Sequence, residues 1–63
     1  MRTGKQIIQA IRTYDPGICP DAVKDALEDG AALRALGITD EDQDAVEEAH
    51  AIIVDLLRAN VAG

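Results

Sequence analysis

The chain has 63 residues, room for one small domain with a thin core. Twelve acidic residues against six basic ones give a formal charge of −6, which argues against a nucleic-acid binder or a docker onto anionic membranes, because both use an excess of Lys and Arg. With no Ser, Trp or Phe and a single Cys, His, Met and Tyr, the chain lacks a serine nucleophile, a disulfide framework and a Cys/His zinc cluster, and no motif marks an enzyme.

The remaining composition predicts an all-α fold. Seven Ile, five Leu and four Val supply the large apolar side chains, and eleven Ala allow close packing. The spacing predicts a compact bundle of about four helices, near residues 4–14, 20–29, 31–36 and 40–60, forming one domain over 1–63. Thr3 and Gln6 have capping-box spacing, so the first helix starts at about Gly4. Ile7, Ile8 and Ile11 form its apolar face, Tyr14 is expected as a lid on the core, and Asp15-Pro16-Gly17 stops it. Pro20 suits the first turn of the second helix, with Val23, Ala26 and Leu27 facing inward and Gly30 ending it. After the short third helix, Gly37 fits the left-handed position beyond the C-cap. Ile38 then folds back on Leu33 in a Schellman arrangement.

Thr39 is the expected N-cap of the last helix, which is the longest and central. Its acids Asp40, Glu41, Asp42 and Asp44 lie where the helix dipole favours negative charge. At 100° per residue, Ala45, Val46, Ala49, Ile52, Ile53, Leu56 and Leu57 form the inner stripe, and Val54 and Val61 widen it to roughly 200°, more than the ~100° a surface helix needs. The wide arc has two readings: a central helix wrapped by the other three, or an apolar strip of Val54, Leu57 and Val61 left for a partner. The first is preferred, since a small bundle must bury its main helix.

The charge is unevenly placed. Residues 1–39 carry five basic and five acidic groups, while residues 40–63 carry seven acids and only Arg58. Glu41, Asp44, Glu48 and Asp55 share one flank of the last helix, and Glu47 adds to it. Like charges three or four residues apart destabilise a helix by ~0.2–0.5 kcal/mol per pair, and the dipole offsets this only over the first turn. Asp21, Asp25 and Asp29 repeat the pattern on the second helix. The six acids from Asp40 to Glu48 span about 12 Å of helix. That is about one charge per 2 Å, close to the one per ~1.7 Å of duplex DNA. The alternative is a solvated face kept for solubility.

Other candidate sites fall short. Asp40-x-Asp42-x-Asp44 opens like an EF-hand loop, but Ala45 stands where Gly is needed and Ala51 where the bidentate Glu belongs. His50 has Glu47 three residues before it and lacks a ligand set for zinc. Cys19 precedes Pro20 at a helix cap and reads as a buried or cap-adjacent thiol of a reducing compartment. No catalytic residue, metal site or cofactor is expected. The run Ala51-Ile52-Ile53-Val54 ends at Asp55, and Met1-Arg2-Thr3-Gly4-Lys5 leads into only two isoleucines. Neither a membrane span nor a signal peptide is expected, and the chain reads as a soluble cytoplasmic protein.

Three resemblances bear on function. Acyl carrier proteins are similarly small, acidic and four-helical, but their Asp-Ser-Leu attachment site is excluded by the lack of serine. Leu33-x-x-Leu36-Gly37-Ile38-Thr39 before a long helix resembles the end of a sterile-alpha-motif domain over about ten residues, where a Schellman turn suffices. In size, acidity and the carboxylates Asp40, Glu41, Asp42, Asp44, Glu47 and Glu48, the whole chain resembles the short all-helical anti-CRISPR proteins of phages, especially those acting on type I surveillance complexes. This is a likeness of type, without signature residues. It implies a non-enzymatic inhibitor that occupies a Lys/Arg surface otherwise holding DNA. Asp40, Glu41, Asp44, Glu48 and Asp55 would carry the contact, helped by Asp42, Glu47, Asp21, Asp25 and Asp29. The expected partner is a protein with a basic nucleic-acid-binding surface rather than nucleic acid or membrane, and the chain itself a monomer or weak homodimer. The alternative is a helical docking or dimerisation module that uses the apolar strip of the last helix.

Overall fold

Thr3 starts the first helix as its spacing requires. The Gln6 N–H donates to Thr3 Oγ1 (3.3 Å) and the Thr3 N–H to Gln6 Oε1 (2.8 Å), so both partners of the capping box are present. The structure, a computed structural model, describes residues 2–62, with side chains as far as Ala59. It contains α1 (Gly4–Tyr14), α2 (Pro20–Leu27), α3 (Gly30–Ala35), a single 3₁₀ turn (Asp40–Asp42) and α4 (Gln43–Ala62). The described residues form an all-α bundle without strands, in which the last helix is the longest.

The joint between α2 and α3 differs from the sequence expectation. Helix α2 ends at Leu27 rather than at residue 29, and Gly30 opens α3 instead of closing α2. The cause is Asp29, whose Oδ1 accepts from the N–H groups of Ala31 (3.0 Å) and Ala32 (3.4 Å). Aspartate is a strong N-cap, and here it satisfies two donors that no helical carbonyl can reach. The end of α3 matches its local signature. Ile38 N–H donates to Leu33 O and Gly37 N–H to Arg34 O, both at 3.0 Å. Gly37 has φ +80°, a conformation open to Gly and strained for other residues.

The first turn of the acidic helix is tighter than an α-helix. Asp42 N–H donates to Thr39 O (2.9 Å), and Asp42 Oδ2 accepts from Thr39 N–H (3.4 Å). The α-helical pattern begins only at Gln43.

The core is aliphatic. Ile7, Ile8 and Ile11 of α1, Val23 and Leu27 of α2, and Ile38 meet Ala45, Val46, Ala49 and Ile53 of α4. Ile7, Val23 and Ile53 are the largest side chains sealed from solvent. Helix α4 packs against both α1 and α2, so its apolar arc is wide because it has two neighbours. Ile52 and Leu57 are half-buried against this core, and Ala26 joins from α2. Two inward expectations are corrected. Tyr14 is 77% exposed and covers nothing, because α1 ends there and the chain turns away at Asp15. Leu56 is 41% exposed, because only α1 flanks that side of α4.

Candidate functional site

The acidic residues of the last helix divide into four groups by what surrounds them. Asp40, Asp44 and Glu47 are exposed, and none takes part in the described ion pairs or side-chain hydrogen bonds. Asp44 and Glu47, three residues apart on α4, share its solvent side, and Asp40 precedes them in the 3₁₀ turn. Ala51 and Arg58 continue that side toward the C-terminus, so the acidic row is confined to the first two turns.

A second group faces the start of α1. Asp42 is only 17% exposed at its side chain and lies 3.9 Å from Arg2 Nη1. Glu41 and Asp42 share a polar groove with Arg2, Gln6 and Thr39. Asp42 therefore holds the N-terminal segment and the 3₁₀ turn together, rather than presenting its carboxylate outward. Glu48 forms the third group. Its Oε1 accepts from the Gly4 N–H at 3.2 Å, placing a carboxylate at the positive end of α1, whose own first turn has no acid. A Cβ on Gly4 would come 2.7 Å from the Ala49 N and 2.8 Å from Glu48 Cγ. The missing side chain is what lets α1 approach α4 closely enough for that bond.

Asp55 stands apart from the other acids. It lies on the rim of a groove of about 590 Å³ between α1 and α4, also lined by Lys5, Ile8, Arg12, Ile52 and Leu56.

On α2, Asp21 and Asp25 are exposed. Asp29, expected to continue their stripe, is the α3 cap and lies outside that helix. Beside them, Lys24 Nζ lies 2.7 Å from Glu28 Oε2, and His50 Nε2 lies 3.4 Å from the same oxygen. The hydrogen bond from Lys24, with that of His50 behind it, holds the Glu28 carboxyl below the ordinary carboxylate range. The same bond holds the Lys24 ammonium above its ordinary value. His50 thus answers to Glu28 across the helix interface, not to Glu47 on its own helix. The sequence does not reveal this contact, because 22 residues separate the partners.

The apolar strip expected on the last helix is also redistributed. Leu57 packs on the core and Val54 is half-buried, while the side chain of Val61 lies outside the described residues. Leu56, assigned inward by its phase, is the large apolar side chain that α4 exposes among the described residues. Cys19 sits at the N-cap of α2 without a side-chain capping bond, and it is exposed. Among the described residues, no three His, Cys, Asp or Glu side chains converge as metal ligands. None of the described helices is long and apolar enough to cross a membrane.

Compared with known protein families, with characterised proteins and with solved structures, the chain shows no significant match.

Proposed function

We propose that the protein is a non-enzymatic inhibitor that docks the acidic face at the start of its last helix on a basic, nucleic-acid-binding protein surface and so blocks access of DNA. One observation carries the reading. Asp40, Asp44 and Glu47 form an exposed row with no basic residue near them on their helix, although the chain uses Arg2 and Lys24 to neutralise acids elsewhere. Repulsion within the row offsets part of what the helix dipole contributes, so the row favours a partner that supplies the missing cations. Glu41 and Glu48 flank the row and add to its field. Asp42 and Asp29 contribute their charge while their oxygens are held within the chain. Asp21, Asp25 and Asp55 belong to other faces and have auxiliary parts at most.

The resemblance to small anti-CRISPR proteins names the candidate target, a type I surveillance complex working in a bacterial cytoplasm. Its DNA channel offers the Lys/Arg density that such a row complements, and attraction between opposite potentials speeds encounter. The test is a competition assay, in which the protein is added to a Cascade-type complex before labelled duplex DNA. The reading predicts that DNA binding falls as the protein is titrated in, and that excess DNA displaces the protein. A complex that holds protein and DNA together, or never captures the protein, contradicts it.

A further inference from the structure

The groove between α1 and α4 lies on a different surface from the acidic row. Ile8, Ile52 and Ile53 line it with the exposed Leu56, Lys5 and Arg12 stand on its α1 side, and Asp55 on its α4 side. On a chain of net charge −6, this is an apolar strip edged by cations on one side and an anion on the other. We propose that it is the contact surface of a homodimer, with a second copy of this chain covering it.

The order of charges selects the occupant. An acidic helix laid in the groove would suit Lys5 and Arg12 but would meet Asp55, and a basic helix would meet the reverse conflict. A surface with the opposite order satisfies both rims, and a second copy related by a two-fold axis along the groove has that order. Such an axis lays α4 of each copy over α1 of the other and leaves height along the groove unchanged. The heights agree. Helices α1 and α4 run in the same direction: Gly4 meets Glu48, and further along Lys5 to Arg12 share the groove with Ile52 to Ala59, an offset of about 44 residues counted from the Gly4–Glu48 contact. Ile8 is then level with Ile52, and Arg12 with Leu56. Asp55 is level with Ile11, one residue from Arg12, or about 1.5 Å along the axis. Each Asp55 carboxylate therefore opposes the Arg12 guanidinium of the other copy, and the two Leu56 side chains meet between these pairs.

The dimer is weak. The groove runs beside the 11 residues of α1, about 16 Å of helix, so the shared face is well below the ~800 Å² per partner of a standard interface. Two copies also bring together twelve net negative charges.

Sedimentation equilibrium on the intact chain, up to about 1 mM, tests the proposal. Wild type is expected to show a monomer–dimer equilibrium, and Leu56→Asp to be monomeric. Arg12→Asp and Asp55→Arg, each of which turns two attractive pairs into repulsive ones, should each weaken the dimer about tenfold. The double variant, with the charges exchanged, should return to within about threefold of wild type. Arg12, Asp55 and Leu56 are exposed, and circular dichroism of each variant checks that the helices remain. A wild type that stays monomeric throughout overturns the proposal. So does a dimer that ignores the single reversals, or one that the double exchange fails to restore. Because Asp40, Asp44 and Glu47 take no part, failure here leaves the inhibitor reading untouched, and the reverse also holds.

Discussion

Gly4 and Gly37 are required for different reasons, and substitution separates them. At Gly4 the obstacle is space, since an added Cβ would press on the Ala49 backbone. Gly4→Ala should lower stability by about 1–3 kcal/mol, the usual effect of overpacking, and should weaken the Glu48 contact as well. At Gly37 there is room, with nothing within 4 Å of an added Cβ, but φ is +80°. Gly37→Ala should lower stability by about 1–2 kcal/mol through left-handed strain alone. Urea unfolding of both variants checks these values. A neutral Gly4→Ala would mean that α1 and α4 are not closely packed there.

Glu28 gives a pH-dependent counterpart. Its carboxyl is held below the ordinary range by the bonds from Lys24 and His50, so the folded chain binds its proton less readily than the unfolded chain. The resulting stabilisation is complete above the ordinary carboxylate range and disappears as pH falls through the lowered value. Glu28→Gln should therefore lower the melting temperature at neutral pH and match wild type on the acid limb, where Glu28 is protonated anyway. The effect is small, because the group is exposed to water. Equal melting-temperature differences at both pH values would show that Glu28 acts by packing instead.

At the scale of the element, the like-charge pair Asp44–Glu47 offsets part of what the helix dipole contributes at the acidic start of α4. Glu47→Lys removes a repulsion with Asp44, three residues away, and replaces it with an attraction. It should raise stability by about 0.5 kcal/mol at low ionic strength and by less in high salt. Thermal melts at two salt concentrations measure this. A destabilised variant would show that Glu47 has an intrachain partner and that the row is structural.

What the sequence made legible follows the same division between local and distant. The Thr3 capping box, the start of α2 at Pro20 and the Leu33–Ile38 Schellman closure are settled within six residues, and each matches its local chemistry. Gly30 reads as a helix stop, yet it opens α3 because Asp29 acts forward as a cap, which a glycine-stop rule does not weigh. Leu56 and Tyr14 failed for another reason. Helical phase says which way a residue points, but not whether a neighbouring helix is there to cover it. The Glu48–Gly4 and His50–Glu28 contacts join distant parts of the chain and left no mark in any local window. This is why the acidic stripe looked uniform in sequence, while the fold splits it into a free row, a polar groove, a cap for α1 and a rim.

At the scale of the whole molecule, the chain offers two surfaces of opposite character: an acidic row on the outer side of α4, and a mixed-charge apolar groove against α1. The first carries the proposed inhibitor function, in which the contact with the partner would be electrostatic. The most direct test measures affinity for the Cascade-type complex across a salt series, for wild type and for Asp44→Lys/Glu47→Lys. Neither side chain takes part in the described contacts, so the variant should fold like the wild type. The account predicts that wild-type affinity falls steeply as salt screens the contact, and that the double reversal weakens low-salt binding by at least about tenfold. Binding that is indifferent to salt and unchanged in the double variant would contradict it.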